Sequence, residues 1–210
     1  QGSQIFKFEN IVKKYVGAKY AVAVSSCTAG LHLCAIVAGL NKNNSFVTSP
    51  ISFVSTSNAG LYQNSKPLFV DIDPKTINID IKKLRELIEK NKSIKAILPV
   101  HFGGYPVDLK QIYNFIKKKK KIIIEDAAHA LGAKYKDGYM VGSCKYSDMC
   151  VFSFHPVKIV ASGEGGVITT NSEKYYRELL RLRSHGINKK DDKFLNKDFA
   201  FDSQSKKNAW

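Results

Sequence analysis

The residues most able to do chemistry fall in two short stretches. The first is Glu125-Asp126-Ala127-Ala128-His129, two carboxylates and an imidazole directly behind three isoleucines, Ile122 to Ile124. An apolar strand that ends this way would deliver the Asp126 carboxylate to the mouth of a sheet. A carboxylate buried there is costly unless a cation joins it, and a protonated heterocyclic nitrogen would be such a cation. Helix capping is the plain alternative for Asp126. If a helix begins here, His129 lies one turn on, on the same side as Asp126.

The second stretch is Ser153-Phe154-His155-Pro156-Val157-Lys158, followed by Ser162-Gly163-Glu164-Gly165-Gly166. Most lysines are solvated. Lys158 instead stands in a loop between apolar segments, beside glycines that permit close backbone approach. A desolvated amine in such a place can act as a nucleophile.

Weaker signals accompany these two. Ser25-Ser26-Cys27-Thr28-Ala29-Gly30 is a small-residue turn into a helix, where backbone N–H groups could receive a phosphate. Phe53 follows another strand, as a stacking platform or as core. His101, in His101-Phe102-Gly103-Gly104, reads as a structural histidine.

These residues need elements to position them. Short runs rich in Val and Ile predict strands at Tyr20–Ser25, Ser45–Ser49, Pro67–Asp71, Ala96–Val100, Ile122–Glu125, Met149–Phe154 and Gly166–Thr170. Helices are expected at Ile5–Tyr15, Thr28–Ala38, Ser55–Tyr62, Ile81–Lys90, Leu109–Lys118 and Glu173–Ser184. Ile81, Leu84, Leu87 and Ile88 share one helical face, and Asp80 is placed to cap that helix. Strict alternation predicts an α/β fold with a mostly parallel seven-stranded sheet and helices on both faces. The connection from Phe154 to Gly166 is too short for a helical crossover, so the seventh strand is expected to run antiparallel to the sixth. Ligands of open α/β sheets bind beyond the carboxyl ends of the strands, where all the residues named above fall.

Composition narrows the classes. The 44% hydrophobic content is ordinary for a globular protein, and no apolar run approaches the ~20 residues that span a membrane. Cys27, Cys34, Cys144 and Cys150 form no CxxC pair, which argues against zinc or a disulfide framework and for a reduced, cytoplasmic protein. The net charge of +15 favours anionic partners. No nucleic-acid-binding motif accompanies it, and the Lys117–Lys121 run reads as a solvated helix end. The absence of an initiator Met at Gln1 and the stop after Asn208-Ala209-Trp210 suggest a chain cut at both ends.

Taken together, the motifs resemble the DegT/DnrJ/StrS family of sugar aminotransferases. The resemblance runs from Tyr15-Val16-Gly17-Ala18-Lys19-Tyr20 to Leu182-Arg183-Ser184-His185-Gly186, and its most specific parts are the two stretches above. It implies a fold-type-I large domain over residues 1–210, lacking the C-terminal small domain, and pyridoxal 5'-phosphate as cofactor. Lys158 matches the lysine that holds the cofactor covalently. Asp126 matches the carboxylate paired with the ring nitrogen, and His129 the contact to the phenolic oxygen. Thr28 and Ala29 match the phosphate turn, Ser153 a second phosphate contact, and Phe53 the aromatic stacked on the ring.

The implied reaction is amination of a nucleotide-linked keto sugar for cell-surface polysaccharide. His-Pro-Val-Lys before Gly-Glu-Gly-Gly resembles the branch that acts at carbon 4 of a UDP-linked 4-keto-6-deoxy hexose. Glutamate is the implied amino donor and a homodimer the implied assembly, with neither nucleic acid nor membrane as partner. Cys27 replaces the family's usual Gly, and Ala161-Ser162 its frequent Thr-Thr. Two other functions stay open: a sugar dehydratase on the same fold, whose members carry His in place of the lysine, and a non-catalytic binding or regulatory protein.

Overall fold

The computed structural model describes residues 2–187. Gln1 and Asn208-Ala209-Trp210, where the cuts are expected, lie outside the described residues. Helices and strands alternate as α1 (Ser3–Val16), β1 (Tyr20–Val24), α2 (Cys27–Val37), β2 (Ser45–Thr48), α3 (Val54–Leu61), β3 (Lys66–Phe69) and α4 (Ile81–Lys90). The chain continues as β4 (Ile94–Ile97), α5 (Leu109–Ile116), β5 (Ile122–Asp126), β6 (Met149–Ser153), β7 (Gly166–Thr170) and α6 (Glu173–Arg183). Every expected element is present, α4 and β7 with the expected ends and the others with ends displaced by up to a few residues.

The strands form one sheet in the order β1-β7-β6-β5-β4-β2-β3. β2 through β6 pair in parallel, and β7 runs antiparallel to both β6 and β1. The short connection before β7 therefore has the expected consequence. It also gives β1 its place, since β1 joins the sheet through β7 alone.

Strand alternation sends apolar side chains to opposite faces, and two core layers result. Ile123, Cys150, Phe152 and Val167 pack with Val12 and Val16 of α1, Leu84 and Ile88 of α4, and Leu109 and Ile112 of α5. Ile124, Met149, Val151 and Ile168 pack on the other side with Leu31 and Cys34 of α2, Ala59 of α3 and Leu179 of α6. α4 is capped as expected: the Asp80 carboxylate accepts from the N–H groups of Lys82 and Lys83. Among the described residues, no helix is long and apolar enough to cross a membrane. At the basic run, α5 ends before Lys117, and Lys121 folds back to donate to the Ile94 carbonyl.

Candidate active site at the carboxyl edge of the sheet

β5 carries the central residue. Asp126 is 3% exposed. Its main chain is fixed on the β4 side, where its N–H donates to the Pro99 carbonyl at 2.9 Å and its carbonyl accepts from the His101 N–H at 3.0 Å. Its Oδ2 accepts from the Thr56 hydroxyl on α3 at 2.6 Å, and its Oδ1 from the Ala128 N–H at 3.2 Å. Among the described residues, no cation lies within ion-pair distance of it. No helix follows. Ala127 to Ala130 form a tight turn, closed by the Ala130 N–H on the Ala127 carbonyl at 2.9 Å. Asp126 thus caps its own turn rather than a helix, and this turn, not a helical face, delivers His129.

His129 meets Lys158 there, with Nε2 2.7 Å from Nζ. An ammonium only donates, so Nε2 is the acceptor and the ring proton belongs on Nδ1. Burial lowers the imidazole pKa and the neighbouring Lys158 charge lowers it further, while Asp126 partly opposes both. Lys158 follows a turn in which its N–H donates to the His155 carbonyl at 2.9 Å. The lysine loop is held at its other end by the Ser162 N–H on the Phe154 carbonyl, also 2.9 Å.

The small-residue turn after β1 is brought alongside by Gly166. In the sheet register Gly166 lies opposite Val24 on one side and Ser153 on the other. A Cβ at Gly166 would stand 2.7 Å from the Cys27 nitrogen, so only glycine lets the start of α2 come this close. Ser26 is the N-cap of α2, its Oγ accepting from the Ala29 N–H at 3.1 Å. Thr28 and Ser153 line the resulting cavity. Ala29 does not, and its N–H is already taken by Ser26. Burial, reinforced by Asp126, pushes the Cys27 thiol pKa up, so Cys27 is a protonated lining group. Phe53, the residue before α3, is 73% exposed and lines the cavity.

These parts enclose about 220 Å³, lined by Thr28, Phe53, Asp126, His129, Ser153 and Lys158 among others. That is less than the ~300–1,000 Å³ of a drug-sized cleft and suits one substituted ring. A wider hollow of about 810 Å³ opens between the N-terminal ends of α4 and α5. It holds none of the residues above, and its buried polar groups Asn78 and Tyr135 are both hydrogen-bonded.

Two features were not read from the sequence. One is Thr56 beneath Asp126. The other is a sealed network on the opposite face of β5, where Glu125 accepts from His101 Nε2 at 2.8 Å and from the hydroxyls of Tyr135 and Ser147. His101 Nδ1 accepts the Val107 N–H at 3.0 Å, so its other nitrogen carries the proton. The alternation of the strand was the available signal, since it must turn Glu125 away from Asp126.

Comparison with known proteins gives a consistent picture. The model of the DegT/DnrJ/EryC1/StrS aminotransferase family matches residues 1–206. A UDP-4-amino-4,6-dideoxy-N-acetyl-beta-L-altrosamine transaminase of Campylobacter jejuni is 41% identical over 190 residues, 90% of this chain and 49% of that protein. Helicobacter pylori PseC, an aminotransferase involved in the biosynthesis of pseudoaminic acid, superposes with a TM-score of 0.82 at 32% identity, covering 91% of this chain and 50% of that one. NtdA of Bacillus subtilis with bound cofactor PMP superposes with a TM-score of 0.83 at 31% identity, covering 93% and 44%. The chain spans about half the length of the curated relatives it matches.

Proposed function

The chain belongs to the DegT/DnrJ/EryC1/StrS aminotransferase family, and on that premise we propose that it binds pyridoxal 5'-phosphate and, within the complete protein, moves an amino group from an amino acid to a nucleotide-linked keto sugar. The observation that carries this reading is the buried Asp126 carboxylate, without a cation among the described residues, facing the same small cavity as Lys158.

The residues present fit the cofactor. Asp126 pairs with a protonated ring nitrogen and so gains the cation that its burial calls for. Lys158 supplies the amine that tethers the aldehyde. Phe53 offers an aromatic face. Thr28, Ser153 and the start of α2 hold the phosphate, and His129 reaches the phenolic oxygen. When bound, the cofactor supplies an electron sink for the carbon next to nitrogen. Asp126 would hold the ring nitrogen protonated, and Lys158 would be the amine placed to take up and give back a proton beside the ring.

The finer assignments follow the relatives. The Campylobacter relative bears the name of a UDP-4-amino-sugar transaminase, which supports a UDP-linked 4-keto-6-deoxy hexose as acceptor and carbon 4 as the site; the name of another relative, an oxoglutarate aminotransferase, supports glutamate as donor. The family supports a homodimer that completes the cavity, and four free, buried cysteines support a reducing, cytoplasmic setting. A lysine at position 158 speaks against the dehydratase reading.

Borohydride reduction of the cofactor-loaded protein, followed by peptide mapping, tests the proposal. The pyridoxyl tag should be found on Lys158, and Lys158→Ala should lose both the tag and amino transfer. A tag that persists in the Ala variant sinks the assignment, and a tagged protein that transfers no amino group points to the binding-protein alternative.

A further inference from the structure

An amine joins a carbonyl only after shedding its ammonium proton, and an ordinary lysine gives that proton up near pH 10.4. The proton must go to a base within reach. Lys158 Nζ has the lone pair of His129 Nε2 at 2.7 Å, and both residues border the small cavity. Partial burial and the lysine's own charge lower the imidazole pKa, which favours the neutral, accepting form.

We propose that His129 is the proton relay through which Lys158 captures an aldehyde: it takes the proton from Nζ and returns it to the carbonyl oxygen as the C–N bond forms. This rests on the assignment of Lys158 as the tethering amine. The step balances. One N–H bond of the ammonium breaks and an N–H bond forms on Nε2. The amine's electron pair then makes the C–N bond, the carbonyl π pair moves to oxygen, and the imidazolium proton completes an O–H bond. The N-protonated carbinolamine so formed loses water, one hydrogen from nitrogen and the hydroxyl from carbon, to become the iminium. His129 ends neutral, as it began, and nothing is oxidised or reduced. Once Nζ is neutral, the repulsion that disfavoured a charged imidazole is gone, while the attraction of Asp126 remains. Both effects lower the energy of the charged intermediate state.

Other titratable groups face the pair. They are Asp126 at the end of β5, His101 after β4, Cys27 at the start of α2, and His155 and Glu164 of the lysine's own loop. Asp126 is engaged by Thr56. His101 is turned to Glu125, Cys27 is held as the thiol by burial, and His155 lies 3.7 Å from Glu164. His129 alone touches Nζ among them.

The test uses cofactor-free protein and a small aldehyde, 4-pyridinecarboxaldehyde, with cyanoborohydride to fix each adduct. Mass spectrometry of peptides reads the labelling rate at Lys158 and at exposed Lys42 across pH. A relay needs a neutral imidazole and a protonated lysine, so the rate at Lys158 should be flat through neutral pH and fall only where His129 becomes protonated. Lys42, acting alone, should gain tenfold per pH unit. His129→Gln keeps an acceptor near Nζ but cannot shuttle a proton. Lys158 in that variant should adopt the Lys42 slope and lose on the order of 10²-fold at pH 7, the low end for a positioned acid–base group.

A wild-type Lys158 profile parallel to that of Lys42 overturns the relay, whether or not the variant folds. So does a plateau that survives in His129→Gln. Should the aldehyde profile hold while pyridoxal 5'-phosphate never tags Lys158, the relay stands and the proposed function fails.

Discussion

Glu125 and Asp126 are neighbours in the chain, yet they belong to different regions of the molecule. Glu125 faces the α1, α4 and α5 side and is fully buried. Three neutral donors, on His101, Tyr135 and Ser147, close around its carboxylate. Burial first, and the Glu125 charge second, raise the Tyr135 pKa, so the phenol stays a donor. Asp126 faces the α2 and α3 side. It has one hydroxyl and one N–H as donors, and its remaining lone pairs are turned to a cavity. Equal burial therefore serves two ends. A buried carboxylate whose partners are complete is structure, and one whose partners are incomplete is a candidate to hold a ligand.

Substitutions at the two positions should separate along that line. The largest effect is expected from Asp126→Asn in the loaded, complete protein. Amino transfer should fall by about 10²–10³-fold, the loss typical when a preorganised electrostatic partner is removed. The unfolding midpoint without cofactor should hold or rise, because an uncompensated buried charge has gone. Near-normal turnover, or a large drop in stability, would contradict the assigned role.

Glu125→Gln should invert the pattern. It disturbs a completed set of hydrogen bonds, so denaturant titration should show a loss of about 1–3 kcal/mol, with turnover per folded molecule little changed. Equal stability losses at 125 and 126 would erase the contrast. Thr56→Val bears on Asp126 alone. Losing one charge-assisted hydrogen bond should weaken cofactor affinity by about tenfold, from ~1.5 kcal/mol, with Thr56→Ser restoring it. An unchanged affinity by fluorescence titration would show that the hydroxyl merely fills space. Ser26→Ala should be the mildest, costing about 1 kcal/mol of stability through the lost cap, as read from the thermal midpoint. A gain in stability would mean that the Ala29 N–H finds a better partner.

Much of this arrangement was legible in the sequence. Short apolar runs alternate with helices because the inner strands are buried on both faces, as the fully buried β2, β6 and β7 are; the edge strand β3 is not. Lys158 and Asp126 could be brought to one edge because both follow strands in a sheet whose ligands gather at that edge. The turn after β5 could not be read. Ala127 and Ala128 are good helix formers, but Asp126 Oδ1 takes the Ala128 N–H. Gly104, at φ +87°, also comes so near the His129 carbonyl that a Cβ would stand 2.6 Å from it. The first is a local side-chain turn and the second a tertiary contact, and together they override helix propensity. The partners of the two carboxylates were invisible for a similar reason. Thr56 lies 70 positions from Asp126, and His101 and Ser147 lie 24 and 22 from Glu125. Ala29 was expected to hold phosphate because the turn was placed one residue late. α2 already begins at Cys27, and Ser26 claims that N–H.

The place of β1 at the sheet margin has a consequence for how the protein is made. Tyr20–Val24 emerges early from the ribosome, but its one strand partner is Gly166–Thr170. Until that distant segment has been synthesised, β1 has nothing to pair with, and the entropy of closing so long a loop delays the union further. β2 through β6 can assemble beforehand by parallel pairing. By this topology, the edge where Ser26 and Thr28 meet Gly166 is expected to close after β2 through β6, and with them the strand bearing Asp126, have paired. A phosphate bound at that end, as proposed, would stabilise the closed sheet rather than the earlier parallel pairing.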